Sequence, residues 1–360
     1  MKKNLKALLA LLAALGAAAV GAQERLAITP ALVAAAEKEG QFTLLYSSPL
    51  VSMQGITDDF RKAYPKIRVN LERKAGSSGA QALMQEAASG VHRIDVFQGS
   101  DVAANQDLIE RKLFAAITPA AIGDYLPSAS MMAPFLYYPE VNSTVVMYNP
   151  KFVTEAEVQK LRTWTGILDP AFRGRISLVE PVFGVTLAPL LYTMNTPGLG
   201  VDFLQKLKAQ NPHIYLNTAQ AREAVISGQK PISWGAQWEA VVLSTIEKGA
   251  PVRFIYMNPR VEWGGTGYGV LAKAPNPNAA RLFMAWKFSK DGAASEQAPH
   301  TSSRPALRQF DDTREVMRRI RGEAWFEMPS AIWNPDPADW VKNGPAHQKT
   351  WSDLMKGGRR

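Results

Sequence analysis

The sequence predicts an α/β protein with two lobes, each a mostly parallel sheet covered by helices. The chain has 360 residues, which is enough for two domains of ordinary size that each bury a core. Short apolar segments with strand character alternate with amphipathic segments of helical period along most of the chain. The hydrophobic content of 46% and the charged content of 20% are typical of globular proteins and exclude disorder, collagen and long coiled coils.

Residues 1–22 predict a signal peptide rather than part of the fold. Lysines at positions 2, 3 and 6 form a positively charged N-terminal region. Residues 7–20 form an apolar run that is too short for a membrane helix. Small residues before Gln23 predict cleavage there, and the absence of cysteine excludes a lipoprotein signal. We therefore expect a protein released into the periplasm of a Gram-negative cell, with no later membrane helix.

The composition excludes several classes of function. Without cysteine, the chain has no disulfide, thiolate metal site or cysteine nucleophile. Its 41 basic and 32 acidic residues give a formal charge of +9, and loss of the three lysines of the predicted signal peptide leaves +6. Such a modest excess suits an anionic ligand or a membrane surface, or else serves only to keep the protein soluble. Export and the absence of a long basic run argue against a nucleic-acid partner.

The first part of the chain after the signal peptide predicts three strands, each followed by a helix. Short loops between them indicate a parallel sheet covered on both faces. The predicted strands span residues 42–46, 67–71 and 94–97, and the predicted helices span residues 53–63, 80–89 and 101–112.

Serines follow all three of these strands, where the chain enters the next helix. Ligands of open parallel sheets bind beyond the carboxyl ends of the strands, and hydroxyl groups beside helix N-termini suit a polar or anionic ligand. The alternative is that these serines are ordinary helix caps. The candidate ligand contacts from this edge are Ser47, Ser48, Ser77, Ser78 and Ser100.

The middle of the chain predicts a second α/β unit, and the chain from residue 278 onward is mostly helical. The predicted strands of this unit span residues 145–148, 176–179, 231–235, 253–257 and 269–272. The predicted helices span residues 155–162, 186–194, 201–209, 219–227 and 238–248.

Catalytic motifs are absent from the sequence. There is no Gly-x-Ser-x-Gly elbow, no His-Glu-x-x-His helix and no phosphate-binding glycine-lysine loop. The histidines, at positions 92, 213, 300 and 347, are scattered without metal-ligand spacing. We therefore expect no enzyme activity, no cofactor and no resident metal.

The order of these segments resembles an extracellular solute-binding protein of an ABC importer. More narrowly, it is similar to the type 2 periplasmic binding proteins of the ferric-ion-binding group. The segments that carry the resemblance are 42–48, 94–101, 141–149, 172–176 with Glu180-Pro181, and 267–271.

The resemblance implies two α/β lobes joined by a hinge. The first lobe would be discontinuous, formed by residues 23–143 and 268–360, with C-terminal helices that partly span both lobes. The second lobe would be formed by residues 144–267.

The resemblance also implies capture rather than conversion. A monomer would bind a small-molecule solute in the cleft, close over it, and present it to a permease and ATPase in the inner membrane. Both lobes would contact the solute. Polar contacts are expected from Asn142 near the hinge, from Gly184 and Thr186 at a helix start, and from Thr266 on the return segment.

The nature of the solute depends on one position. Ferric-binding members have a tyrosine pair where this chain has Trp238 and Glu239, and indole does not bind Fe³⁺. An aromatic face with a carboxylate suits an organic cation, so we predict a small polar or zwitterionic organic solute. Replacing Glu239 by glutamine should then weaken binding of a cation. Ferric iron is the alternative, and a periplasmic enzyme or sensory binding module on the same fold is the second alternative.

Overall fold

A four-stranded and an eight-stranded sheet form the cores of two lobes in the computed structural model. The structure describes residues 24–74, 77–182, 184–301 and 303–357. The predicted signal peptide lies outside these residues. Within them, no helix is long and apolar enough to cross a membrane.

Strands and helices alternate along the chain, as the sequence pattern predicts. The strands are β1 (Glu24–Leu26), β2 (Gln41–Tyr46), β3 (Arg68–Arg73), β4 (Val96–Gly99), β5 (Ile117–Pro119), β6 (Glu140–Tyr148), β7 (Ile176–Val179), β8 (His213–Tyr215), β9 (Ile232–Trp238), β10 (Arg253–Ile255), β11 (Arg260–Gly264), β12 (Gly267–Val270), β13 (Arg304–Pro305) and β14 (Ile332–Trp333). The helices are α1 (Pro30–Glu39), α2 (Leu50–Ala63), α3 (Ser78–Ala88), α4 (Val102–Glu110), α5 (Glu155–Leu161), α6 (Gly184–Asn195), α7 (Gly200–Ala209), α8 (Thr218–Ile226), α9 (Glu239–Glu247), α10 (Pro277–Lys287), α11 (Lys290–Gln297), α12 (Glu315–Ile320) and α13 (Pro337–Lys356). Short 3₁₀ turns lie at Ala120–Asp124, Pro127–Ser130, Gly166–Leu168 and Pro170–Phe172.

The sheet of the first lobe has the strand order β12-β4-β2-β3. β2 pairs in parallel with both β3 and β4, and β12 is antiparallel to β4 at the edge. The parallel strands end at the same edge of the sheet, so the loops that follow β2 and β4 lie side by side there.

The sheet of the second lobe is mixed rather than mostly parallel. β7 is parallel to both β8 and β9, as expected. β6, however, is antiparallel to β9, β10, β11 and β13. The difference arises because β6 enters this sheet from the first lobe, whereas β11 and β13 run back towards it.

Each lobe has aromatic ring pairs in its core. In the first lobe, the Phe60 ring stacks edge-on against Phe42 and Phe283, with ring centroids 5.8 and 5.3 Å away. In the second lobe, the indole of Trp234 packs edge-on against Trp164 at 5.6 Å. Such ring pairs contribute about 1 kcal/mol each beyond the area that they bury. Trp234, in the middle of a strand, is therefore part of the core.

Sequence patterns placed some element bounds better than others. β7 has the bounds that the sequence predicts, whereas β6 begins at Glu140, five residues before the predicted start at 145. The first residues of β6 are mostly polar, so no alternation of apolar side chains marks them as a strand in the sequence. The start of β6 is determined by its pairing with β11 and β13.

The C-terminal segment contacts both lobes. α10 packs on α1 and on β12 in the first lobe, whereas β13 and β14 join the larger sheet. α13 packs against α6 and α7 of the second lobe and also against α4 of the first. The exact lobe boundaries at residues 143/144 and 267/268 stay a prediction.

Asp95 joins three segments of the first lobe and generates a stability prediction. Its fully buried carboxylate accepts hydrogen bonds from the backbone N–H of Thr43 at 2.8 Å and from Nδ2 of Asn276 at 3.1 Å. Replacing Asp95 by alanine removes the buried acceptor of these half-buried donors, so we expect the free energy of unfolding to fall by about 3 kcal/mol. Urea denaturation measures this change.

The matched control is Asp353→Ala, which removes an exposed carboxylate that pairs with Lys349 at 2.5 Å. Such surface pairs contribute little, so this variant should change the free energy of unfolding by less than about 0.5 kcal/mol. Equal effects of the two substitutions would contradict the structural role of Asp95.

Candidate functional site

A cleft of about 1130 Å³ lies between the two lobes. Its lining includes the loops at the carboxyl edge of the first sheet, the strands that connect the lobes, and helices of both lobes. The sequence-predicted residues in this lining are Ser47, Ser48, Ser100, Asn142, Gly184, Trp238 and Thr266.

Ser47 and Ser48 form the loop between β2 and α2 and are fixed by one buried amide. The side-chain oxygen of Gln98, on β4, accepts hydrogen bonds from the backbone N–H groups of Ser47 at 2.8 Å and Ser48 at 3.3 Å. The N-cap of α2 is Pro49, which makes no side-chain hydrogen bond. The two serines are therefore not ordinary caps, and the loop is held rigidly at the cleft.

Ser100 follows β4 and faces the same cleft. The cap of α4 is its neighbour Asp101, whose carboxylate accepts hydrogen bonds from the backbone N–H groups of Ala103 and Ala104 at 3.0 and 3.1 Å. Ser100 is exposed, and its hydroxyl makes no hydrogen bond to the residues that the structure describes. This hydroxyl is available to a ligand.

The connecting strands contribute polar groups at the base of the cleft. Asn142 lies on β6, half-buried, opposite Trp263 on β11. Thr266 donates hydrogen bonds from its backbone N–H and its hydroxyl to Oε1 of Glu140, at 3.2 and 3.0 Å. Burial and the neighbouring Glu296 carboxylate raise the pKa of Glu140. Hydrogen bonds from Ser303 and Thr266 act in the opposite direction, but the pKa stays above its usual value.

The wall of the second lobe is aromatic near the hinge. Trp238 ends β9, and its indole N–H has no hydrogen-bond partner among the described residues. Gly184 begins α6 beside the ring of Trp263, where an added Cβ would lie 3.0 Å from the indole nitrogen. A side chain at position 184 would therefore press on the Trp263 ring.

Farther from the hinge, the same wall becomes charged. Residues of α8 and of the end of α9 carry both signs of charge into the lining, among them Arg222, Glu223, Glu247 and Lys248. The cleft thus combines hydroxyl donors on one wall with aromatic rings and mixed charge on the other.

Four predicted contacts lie outside the cleft lining. Ser77 and Ser78 are exposed at the start of α3, and Thr186 is buried in α6, where its hydroxyl accepts the backbone N–H of Val182 at 3.2 Å. Glu239 is the fourth, and only 3% of it is exposed. The structure does not bring these side chains together with the cleft serines.

The carboxylate of Glu239 is buried and paired with arginine side chains. Its Oε1 accepts a hydrogen bond from Nη2 of Arg314 at 3.0 Å, and its Oε2 lies 3.7 Å from Nε of Arg304. Arg314 also forms two hydrogen bonds to Asp312, at 2.9 and 2.8 Å. The free carboxylate that would attract an organic cation is therefore not available at this position.

The same cluster continues to the connecting strands. Arg304, on β13, pairs with Glu262 on β11 and donates to the hydroxyl of Ser143 on β6 at 2.9 Å. We call Glu239, Glu262, Arg260, Arg304, Asp312 and Arg314 the hinge charge cluster. Burial opposes ionisation of Asp312, but hydrogen bonds from Arg314 hold its pKa below the usual range.

Sequence reasoning missed Gln98, Glu140 and Trp263. Gln98 is a polar residue in an otherwise apolar buried strand, a pattern that signals a specific hydrogen-bonding role. Glu140 and Trp263 carry no local signal, because they reach the cleft only through the pairing of β6 with β11.

The model of the bacterial extracellular solute-binding protein family matches residues 46–294 of the chain. The chain belongs to this family. The resemblance seen in the sequence is thereby confirmed, and an extracellular, exported protein is what the family implies. Its members are substrate-binding proteins of ABC transporters, which deliver a small ligand to a permease, and are not enzymes.

Solved structures of solute-binding proteins share the two-lobed fold. They include iron-bound HitA from Pseudomonas aeruginosa, with a TM-score of 0.67 and 20% identity over 87% of this chain and 99% of that one. Trichodesmium IdiA (FutA), in complex with iron and citrate ligands, has a TM-score of 0.69 and 18% identity over 88% and 99%. Ferric iron-binding protein A from Mannheimia haemolytica, in an open conformation, has a TM-score of 0.70 and 11% identity over 89% and 99%.

The pairing of Glu239 generates a prediction about this solute-binding protein. Replacing Glu239 by glutamine removes a buried carboxylate that pairs with Arg314 and lies beside Arg304, so we expect the free energy of unfolding to fall by about 3 kcal/mol. Glu247→Gln, at the exposed end of the same helix, is the control and should change stability by less than about 0.5 kcal/mol. Urea denaturation measures both. If Glu239→Gln kept the stability of the wild-type protein but lost affinity for the ligand, Glu239 would instead belong to the ligand contacts.

The raised pKa of Glu140 generates a second prediction. Because the folded state holds the Glu140 proton more tightly than the unfolded state, its contribution to stability is greatest below the unfolded pKa and is lost as the pH rises through the folded pKa. The wild-type protein should therefore lose stability relative to Glu140→Gln as the pH rises from about 4.5, the ordinary glutamate pKa. Thermal melting of both proteins across this range measures the difference. Parallel pH profiles would contradict it.

Proposed function

We propose that this chain captures its cargo in the interlobe cleft, in the periplasm, and delivers it to the permease and ATPase of an ABC importer. The observation that carries this proposal is a cleft lined from both lobes, by Ser48 and Ser100 on one wall and by Gly184 and Trp238 on the other. A ligand that contacts both walls binds more tightly when the lobes approach, so its binding free energy favours the closed state.

Ferric iron has more support from the comparisons than the organic solute that the sequence predicts. HitA of Pseudomonas aeruginosa is described as iron-bound, and the Trichodesmium protein as bound to iron and citrate. Both share the fold of this chain over nearly their full length. We therefore propose ferric iron as the cargo.

The cleft of this chain offers few ligands to a bare ferric ion. Among the described residues, no group of three or more His, Cys, Asp or Glu side chains could hold a metal ion. Among the described residues of the cleft lining, Tyr268 is the one tyrosine. Where ferric-binding members are expected to have a pair of tyrosines, this chain has Trp238 and Glu239, and Glu239 is paired with Arg314. Because Fe³⁺ prefers several anionic oxygens, we infer that it enters as a complex with a small carboxylate that supplies most of its ligands.

The first wall suits the carboxylate of such a complex. The Ser100 hydroxyl is available, and Ser48 is fixed beside the N-terminus of α2, where backbone N–H groups favour negative charge. These donors would bind the carboxylate oxygens that do not contact the metal.

A polar or zwitterionic organic solute without metal is the second candidate. Trp238, Trp263 and Trp340 place three indole rings in the lining, and aromatic faces bind apolar or cationic parts of organic molecules. The unpartnered N–H of Trp238 adds a donor on this wall.

Ferric citrate is the probe that tests the cargo, by isothermal titration calorimetry on the protein from Gln23 onward. We expect Ser100→Ala to weaken its binding about fivefold, because one hydrogen bond contributes about 1 kcal/mol. Ser77→Ala, at a first-lobe serine outside the cleft lining, is the matched control and should leave the affinity unchanged.

Equal effects of the two serine substitutions would contradict the proposed first wall. Citrate that binds as tightly without iron would contradict ferric iron as the cargo. Native mass spectrometry of the gently purified protein gives an independent answer: a bound metal-free organic molecule would favour the second candidate.

A further inference from the structure

A second concave pocket, of about 490 Å³, lies on the first lobe. Its walls are the end of α3, the end of α4 and the loop after β12. No residue of its lining also lines the interlobe cleft.

This pocket lies at the opposite edge of the four-stranded sheet from the cleft. The chain passes Val91 and Ile94, in the pocket, before β4, and Ser100, in the cleft, after it. α4 likewise begins at Val102, in the cleft lining, and ends beside Arg111 in the pocket. Nine helical residues span about 13 Å, so the two sites are separate.

The floor of the pocket is apolar. Leu83 and Ile94 are buried beneath it, and Met84, Leu113 and Leu271 are partly buried around them. Burial of a hydrocarbon or aromatic group on such a floor is favourable at roughly 25 cal/mol per Å² of apolar surface.

The rim of the pocket is basic. Its cations are Arg111, Lys112, Lys273 and, when protonated, His92, whereas Glu86 is its one carboxylate. Glu86 is paired with Arg93, and Arg111 is paired with Asp107 at 2.8 Å.

Two of these cations have no partner within the described part of the chain. Lys112 and Lys273 are exposed, and neither makes a side-chain hydrogen bond or ion pair there. The position of Lys112, just after α4, suits the negative end of the helix dipole. Lys273 lies in a loop after a strand, so a helix end does not account for it.

We propose that this pocket binds a small amphipathic anion, with its apolar body on the Leu83 floor and its anionic group at Lys112 and Lys273. The volume lies within the range of small-molecule sites, roughly 300–1,000 Å³. Fewer residues line it than the roughly 20–30 that each partner of a stable protein interface contributes. The site is independent of the cargo in the cleft.

The absence of cysteine from the chain gives a direct test. Ala88, exposed at the pocket, is replaced by cysteine, and the rate of alkylation by iodoacetamide is measured with decanoate as the probe. Decanoate at about four times its dissociation constant should slow alkylation about fivefold. The matched control is Ala171→Cys, an exposed alanine of the second lobe, whose alkylation rate should not change.

The two lysines are tested in the Ala88→Cys background. The double substitution Lys112→Gln with Lys273→Gln should raise the dissociation constant of decanoate, measured from its protection of the cysteine, about fivefold, because the attraction of two exposed lysines to the carboxylate is lost. Lys290→Gln with Lys342→Gln removes the same charge from exposed lysines outside the pocket and should leave protection unchanged.

Several results would overturn the proposal. Failure of decanoate to protect the cysteine at millimolar concentration is one of them. Equal protection by neutral decanol is another, because it would show that the pocket does not recognise the anionic group. Protection by an acidic peptide but not by decanoate would indicate a protein partner instead. If Ala88→Cys does not fold, Ala87→Cys, in the same lining, takes its place.

Discussion

The hinge charge cluster, a buried network of carboxylates and guanidinium groups, joins the strands on which the cleft is built. Glu262 on β11 pairs with Arg304 on β13, and both contact Ser143 on β6. Charges this deep are tolerated only when they are paired, since an unpaired one costs several kcal/mol. The network therefore fixes the relative position of three strands that pass between the lobes.

The positions of the two cleft walls depend on these three strands. β6 and β11 place Asn142 and Trp263 opposite each other at the base, and the return through Thr266 to β12 leads back into the first sheet. The serine loops of the first wall depend on a second buried polar group, the Gln98 amide, which ties the end of β2 to β4. Rigid walls joined by a few shared strands are what a closing binding protein requires.

The sequence was most informative where the signal is local. Alternation of apolar segments predicted the α/β fold, and the serines at 47, 48 and 100 could be assigned to one edge because parallel strands end together. Ser77 and Ser78 follow β3, the outermost strand of its sheet, and these two exposed serines are not part of the cleft lining. The pairing of Glu239 has no local signal, because its partner Arg314 is far away in sequence and no pattern around Glu239 shows that its charge is already balanced.

By itself, the sequence determined the family, the alternation of strands and helices and the polar character of one cleft wall, because each depends on residues close together in the chain. Only the tertiary structure decided which of the candidate side chains face the cleft, that Trp234 is core, and that Lys273 joins Lys112 at a second pocket. These outcomes depend on pairings between distant segments, such as β6 with β11 and Glu239 with Arg314. Burial and charge balance are settled by what packs opposite a residue, and a linear pattern does not contain that information.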